Sequence, residues 1–319
     1  MKTNDLYKSL LDINNIKKAY KNVLKNIKSL KYKENLIKNE MQYISYVYST
    51  IYNREYKPKK KIRFFVNESG KKREVYAQLP EDKIINHLVA NEVLDKVIPR
   101  VLIDQNIASR KYLGTEAGIS YFYKYIDASN RQWKHYYIIK GDIHKFFASL
   151  DHDILIQKLK KLIKDKEVID ILNTIIRSDA KGLSLGSMTS QILAVFYLND
   201  FDHYIKEKLK VKRYVRYQDD FLIFVKTKKE AKEILKKIDS FLKTEKLELN
   251  KSTRIYSSNE NIKFLGKTKK GKFVRGKKAK KKLKKRIKEY KKGKKPLINT
   301  ISSVQSYYGK INKDVFKYL

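Results

Sequence analysis

Two adjacent aspartates, Asp219 and Asp220, stand between two runs that favour extended structure, Tyr214-Val215-Arg216-Tyr217 and Phe221-Leu222-Ile223-Phe224-Val225. β-Branched and aromatic residues suit a pleated, half-buried surface. Residues 213 to 226 therefore read as a β-hairpin with Gln218-Asp219-Asp220 at its tip. Carboxylates held in apolar surroundings repel each other and lose solvation. A divalent cation removes both penalties, and hard ions such as Mg²⁺ accept a few carboxylates together with substrate phosphates. A third acid, Asp142, follows the apolar run Tyr136-Tyr137-Ile138-Ile139 and falls at the end of a second strand. The plain alternative for Asp219-Asp220 is an Asp-Asp turn that only closes a hairpin. Asp142 and the charge balance of the chain weigh against it.

That balance is extreme. The 319 residues carry 74 Lys+Arg against 34 Asp+Glu, a formal net charge of +40. Such a surface repels itself, and a polyanionic partner is its natural complement. Hydrophobic residues at 42 % supply a core and exclude a wholly disordered basic tail. Cysteine is absent, which excludes a disulfide framework, a thiolate zinc site and a Cys nucleophile. No run approaches the length of a membrane span, and Met1 to Leu6 carry no apolar signal region. The expectation is a soluble, cytoplasmic protein without a membrane partner.

Apolar spacings of three and four predict helices over residues 1 to about 50. Residues 62 to 79 alternate around Glu68-Ser69-Gly70 and predict another hairpin. Pro80-Glu81-Asp82 opens a helix to about Val97. A strand over 136 to 143, a helix over 152 to 177, a loop from Gly182 to Gly186 and a helix from Thr189 to Leu209 follow. Glu230 to Leu242 is an amphipathic helix, and a short strand ends at Gly266. Strands and helices mix without βαβ alternation, so the fold class expected is α+β, a sheet backed by helices. From Lys267 to Lys295 the chain holds 18 Lys or Arg in 29 residues, with a helix expected over Ala279 to Tyr290. The aromatic and apolar tail from Pro296 to Leu319 suggests packing in a small helical subdomain.

Several segments together resemble the reverse transcriptase family. Tyr217-Gln218-Asp219-Asp220 is similar to its Tyr-x-Asp-Asp hairpin. Gly141-Asp142-Ile143-His144-Lys145-Phe146-Phe147-Ala148-Ser149-Leu150-Asp151-His152 resembles its first catalytic strand. Gly182 to Gln191, running into Tyr197 to Asp202, resembles the segment between those motifs, and Phe264-Leu265-Gly266 the short motif after them. Arg73 to His87 and Ser109 to Thr115 resemble the fingers motifs. The resemblance spans about residues 60 to 270. It implies a right-hand polymerase: an N-terminal helical extension at 1–60, fingers at 61–135, an antiparallel palm at 136–266 with 182–200 at its junction with the fingers, and a basic helical thumb at 267–319.

The same resemblance implies roles. Asp142, Asp219 and Asp220 would hold two Mg²⁺ ions, with Mn²⁺ as the alternative, and Ile143 would add its backbone carbonyl. Phe147 would lie under the incoming sugar and exclude a 2′-hydroxyl. Arg73, with Lys71, would contact the triphosphate, where a planar guanidinium fork suits phosphate oxygens. Lys251 would protonate pyrophosphate as a general acid. Lysines of the thumb would grip the phosphates of a primer-template duplex without reading sequence. Template RNA, the RNA/DNA duplex and dNTPs are the partners so implied.

One departure narrows the type. Most of the family carries Gln-Gly and then Ser-Pro in the middle segment, whereas this chain has Leu185-Gly186 and Ser190-Gln191. That version is similar to the diversity-generating retroelement enzymes, which copy a template RNA with errors at adenine and work beside a small basic accessory protein. Leu185 has no amide to hydrogen-bond a nascent base pair, so shape would hold the pair. A retron-type or phage-defence enzyme, bacterial or phage-encoded like the first, is the alternative. The 53 residues after Gly266 are too few for both a maturase thumb and an endonuclease. Phe147 argues against an RNA-synthesising polymerase. A catalytically silent basic RNA-binding protein is the non-enzyme reading, and the three retained aspartates weigh against it.

Overall fold

The computed structural model describes residues 5–27, 29–68, 71–269 and 277–293. The expected turn residues Ser69-Gly70 and the aromatic and apolar tail from Pro296 to Leu319 lie outside that set. The chain divides into two compact units, Met1–Phe65 with Glu74–Ser258, and Val66–Arg73 with Asn259–Leu319.

The first unit opens with four helices, α1 (Leu6–Leu11), α2 (Ile13–Lys25), α3 (Leu30–Lys38) and α4 (Glu40–Tyr52). Asp12 caps α2 by accepting from Asn14 N at 2.8 Å, and its buried stripe is Ile16, Ala19, Tyr20 and Val23. Strands β1 (Ile62–Glu68) and β2 (Lys71–Ala77) make the expected hairpin. Then α5 (Pro80–Val89) begins on Pro80 and packs along α2. It continues through a π-helical turn (Ala90–Leu94) into α6 (Asp95–Val97).

A long helix, α7 (Thr115–Gln132), leads to strand β3 (Tyr137–Gly141) and the short α8 (Phe146–Ser149). The helix expected over 152 to 177 is two helices, α9 (His152–Leu162) and α10 (Lys166–Ile176). Between them Ile163 turns extended (φ −111°, ψ 131°) and is buried. Helices α11 (Met188–Tyr197) and α12 (Asn199–His203) and a π-helical turn (Tyr204–Lys208) replace the single helix expected over 189 to 209.

Strands β4 (Arg213–Tyr217) and β5 (Asp220–Val225), helix α13 (Lys228–Thr244) and strand β6 (Arg254–Ser257) complete the unit. The sheet order is β4-β5-β3-β6, antiparallel throughout. Gly141 stands opposite Phe221 and Ile139 opposite Ile223. Side chains alternate across a strand. Ile139, Phe221, Ile223 and Val225 join the main core, to which α13 contributes Ala231, Ile234, Ile238 and Leu242. Phe224 points to the other face and meets Tyr125 of α7 at 5.9 Å. In the second unit, β7 (Lys263–Phe264) pairs with β8 (Lys267–Thr268), and α14 (Lys277–Lys291) covers the helix expected there. The observed class is α+β. No helix among the described residues is long and apolar enough to cross a membrane.

Candidate active site

The β3–β5 register places Gly141 opposite Phe221, and its next step sets Asp142 beside Asp220. Tyr217 pairs with Asp220 across the hairpin, so Gln218 and Asp219 form a two-residue turn, Gln218 taking a left-handed φ of 56°. Alternation puts Lys140, Asp142 and Asp220 on the face away from the main core. Lys140 Nζ lies 3.6 Å from Asp220 Oδ2. Asp219, in the turn next to Asp220, lies close enough to Asp142 to feel its charge. Burial pushes Asp219 up to about 6, and the charge of Asp142 adds to the effect. Burial also pushes Asp220 up to about 6, with Lys140 pulling partly the other way.

The end of β3 is held from both sides. A Cβ on Gly141 would lie 2.0 Å from Phe221 Cζ, so only glycine lets that ring cross the strand just before Asp142. On the other edge, Asn250 N donates to Asp142 O at 2.7 Å and His144 N to Glu248 O at 2.8 Å. Thr253 Oγ1 accepts from Asp142 N at 3.2 Å. This bridge of Ile143 to Leu249 uses the groups of Asp142 and His144 and leaves the Ile143 carbonyl out. Lys251 is exposed on the turn that Asn250 and Thr253 fasten to Asp142.

Phe147 follows Lys145, whose φ is 44°, and its half-buried ring meets Phe146 edge-on at 5.7 Å. The 182–186 loop docks on that turn. Leu183 N donates to Phe147 O at 2.7 Å, and His152 Nε2 contacts Gly182 O at 2.7 Å. A Cβ on Gly182 would stand 2.4 Å from Phe147 O. Leu185 and Gly186 form the following turn, and Gln191 is exposed on the first turn of α11. Arg73 and Lys71 lie on β2.

Among the described residues, no group of three or more His, Asp or Glu is drawn together closely enough to hold a metal ion. The third acid, Asp220, has Lys140 beside it. The donor set nevertheless suits a hard cation. All donors are oxygens. Asp220 Oδ1 is buried with no hydrogen-bond partner.

A family model described as "Reverse transcriptase (RNA-dependent DNA polymerase)" matches residues 57–268. The chain belongs to the reverse transcriptase family. The match takes in β1 through β8, both aspartate-bearing strands included. Two yeast proteins from Saccharomyces cerevisiae are similar to parts of this reverse transcriptase. The putative COX1/OXI3 intron 1 protein is 26 % identical over 143 residues, covering 41 % of this chain and 16 % of its own length. The putative COX1/OXI3 intron 2 protein is 31 % identical over 85 residues, covering 23 % and 10 %. The chain therefore spans a small part of the length of the curated relatives it matches. Among solved structures, apo telomerase from Candida tropicalis, truncated from the C-terminal domain, gives a TM-score of 0.49 at 13 % identity, covering 65 % of this chain and 52 % of that one.

Sequence reasoning missed what stands under the hairpin. Arg216 is fully buried and donates through Nη1 to Gln218 O at 2.8 Å. Its Nε and Nη2 meet Asp202 Oδ1 and Oδ2 at 2.7 and 2.5 Å. Asn106 Nδ2 and Tyr214 OH donate to the same carboxylate. The signal was an arginine inside an apolar strand, since buried charges need partners. Gln218 is held from above as well, its Nε2 donating to Ser109 Oγ at 2.9 Å.

Proposed function

We propose that this chain is an RNA-directed DNA polymerase of the diversity-generating retroelement type, copying template RNA into cDNA with errors at adenine. The observation that carries the polymerase reading is the register that sets Asp142 beside Asp220, with Asp219 in the adjoining hairpin turn. Asp142, Asp219, Asp220 and the carbonyl of Ile143 would hold two Mg²⁺ ions, Mn²⁺ being the alternative. When bound, such ions activate a 3′-hydroxyl and stabilise leaving pyrophosphate.

The chain's own residues do the rest by positioning and charge. Phe147 excludes a ribose 2′-hydroxyl, and Arg73 and Lys71 grip the triphosphate. Lys251, on the turn fastened to Asp142, gives a proton to the leaving pyrophosphate. Leu185, Gly186 and Gln191 border the nascent base pair, and the missing amide at 185 loosens selection opposite adenine. Fingers, palm and a basic thumb hold the RNA/DNA duplex, and a small basic protein assists. The setting is cytoplasmic, in a bacterium or phage.

The test is to sequence the cDNA made from a defined RNA template and primer with Mg²⁺, beside Asp219→Asn and Leu185→Gln. Errors concentrated at template adenines, reduced by Leu185→Gln and absent with all product in Asp219→Asn, are expected. Accurate cDNA would move the assignment to a retron-type or defence enzyme. An adenine error rate unchanged by Leu185→Gln would remove the role given to that residue.

A further inference from the structure

The turn that carries Leu185 and Gly186 is fastened on both sides. Before it, Ser184 N donates to Asp179 Oδ2 at 2.8 Å, and Asp179 is itself paired with Lys61 at 2.7 Å. After it stands Asn86, on α5. Asn86 Oδ1 accepts from Ser187 Oγ at 2.9 Å and from Thr189 Oγ1 at 2.5 Å, while Nδ2 donates to Asp82 O at 2.8 Å. All three side chains are buried. The Asp82 carbonyl sets the orientation of the Asn86 amide: turned over, Oδ1 would face that oxygen and leave it without its donor, while the two hydroxyls, which also bond each other at 2.7 Å, accept as well as donate. Asp82 is fixed in turn by Tyr56 OH at 3.2 Å and Lys59 N at 2.9 Å.

Packing alone does not hold this turn. A cavity of about 190 Å³ lies beside it, lined by Asn26, Lys83, Asn86, His87, Gly186 and Met188 among others. Gly186, at φ +108°, has only loose neighbours, the nearest being Tyr76 O at 3.5 Å from where a Cβ would stand. With a cavity beside Gly186, polar bonds set where the turn sits, Asp179 before it and Asn86 after it.

We infer that Asn86 is a positioning residue for nucleotide selection, acting through Ser187 and Thr189 on the Leu185-Gly186 turn. The inference rests on the polymerase reading for what the turn touches. It does not involve the aspartates, which lie on β3 and at the β4–β5 hairpin. Asn86→Leu keeps the branched shape and takes the Oδ1 acceptor from both buried hydroxyls, which are left with each other at 2.7 Å. Loss of that shared acceptor, part of it made up between the two hydroxyls, corresponds to about a tenfold effect on nucleotide binding.

The experiment measures KM for each dNTP, kcat and thermal midpoint on an RNA template for wild type, Asn86→Leu, Ser187→Ala with Thr189→Val, and the combination. Asn86→Leu is expected to raise KM about tenfold with kcat within about threefold. The hydroxyl variant should do the same, and the combination should add nothing, because both remove one linkage. A lower midpoint with unchanged KM, or fully additive effects, would overturn the proposal. If Asn86→Leu does not fold, the hydroxyl variant alone decides. Hydrogen exchange supplies a readout free of activity: amides 183–187 should exchange faster in the variants while β3 and β5 stay protected. Unchanged exchange in the loop overturns the positioning role. A wild type that makes no DNA, with that exchange pattern intact, overturns the polymerase reading and not the fastening.

Discussion

Arg216 and Asp202 form an ion pair wholly inside the protein, Nη2 to Oδ2 at 2.5 Å, with both side chains fully buried. The pair sits under the hairpin tip and reaches it through the bond from Arg216 Nη1 to Gln218 O. Removing one member of a buried pair strands the other, at a cost of about 3–5 kcal/mol. Arg216→Met is therefore expected to lower unfolding free energy by that order in urea. Arg216→Met with Asp202→Asn should recover part of it, because no buried charge is left unpaired and Asn106 and Tyr214 keep a polar partner. DNA synthesis should stay low in both, since the tether to Gln218 is gone. A stable, fully active double variant would show that the pair does not position the tip.

Gly141 and Phe221 make a second prediction. The ring of Phe221 occupies the space a Cβ at 141 would need, 2.0 Å from its Cζ. Phe221 is buried and also packs on Phe201 at 5.4 Å, so the ring cannot simply swing away. Gly141→Ala should displace the end of β3 and abolish primer extension while most of the fold persists. Gly141→Ala with Phe221→Leu should regain part of the activity. An active single variant, measured by primer extension, would contradict this.

Much of the fold and site could be read from residue patterns, and the failures have physical causes. The three aspartates were legible because acids interrupt apolar strand runs. The hairpins followed from alternation, and α13 from its stripe of Ala231, Ile234, Ile238 and Leu242. Helix α7 went unread: Phe122, Tyr125, Ile126 and Ser129 form its buried stripe, but Tyr121 and Tyr123 blur it. Strand β6 is a four-residue edge with no buried alternation. The break at Ile163 carries no Gly or Pro. Asn86, Ser187 and Thr189 meet across about a hundred residues, which no local pattern encodes.

The acids also fix a pH dependence. Burial raises Asp219 and Asp220 to about 6, from about 3.9 in an unfolded chain. The metal-free native state thus binds these protons more tightly than the unfolded state. Their contribution to stability is fully present below about pH 4 and is lost as pH rises through about 6. Mg²⁺ needs the ionised carboxylates, so its stabilising effect should grow through about pH 6 and vanish below it. Thermal midpoints in chelator and in Mg²⁺, taken as wild type minus Asp219→Asn, cancel the other carboxylates. A Mg²⁺ effect equal at pH 5 and pH 8, or equal in the variant, would contradict the assignment.

The role proposed for Phe147 can be tested apart from its packing. Its ring is half-buried and edge-on to Phe146, while its backbone carbonyl holds Leu183 N. Trimming the ring therefore removes bulk without releasing the loop, because the loop bonds to the main chain. Phe147→Val should raise ribonucleotide incorporation relative to deoxynucleotide by at least about tenfold, equivalent to about 1.4 kcal/mol of discrimination. The cost in stability should be smaller than the 3–5 kcal/mol typical of deleting a fully buried ring. Competitive incorporation of matched rNTP and dNTP on one template measures the ratio, and a thermal melt measures the stability. Unchanged sugar selectivity in a folded, active Phe147→Val would mean the ring is packing and not a gate.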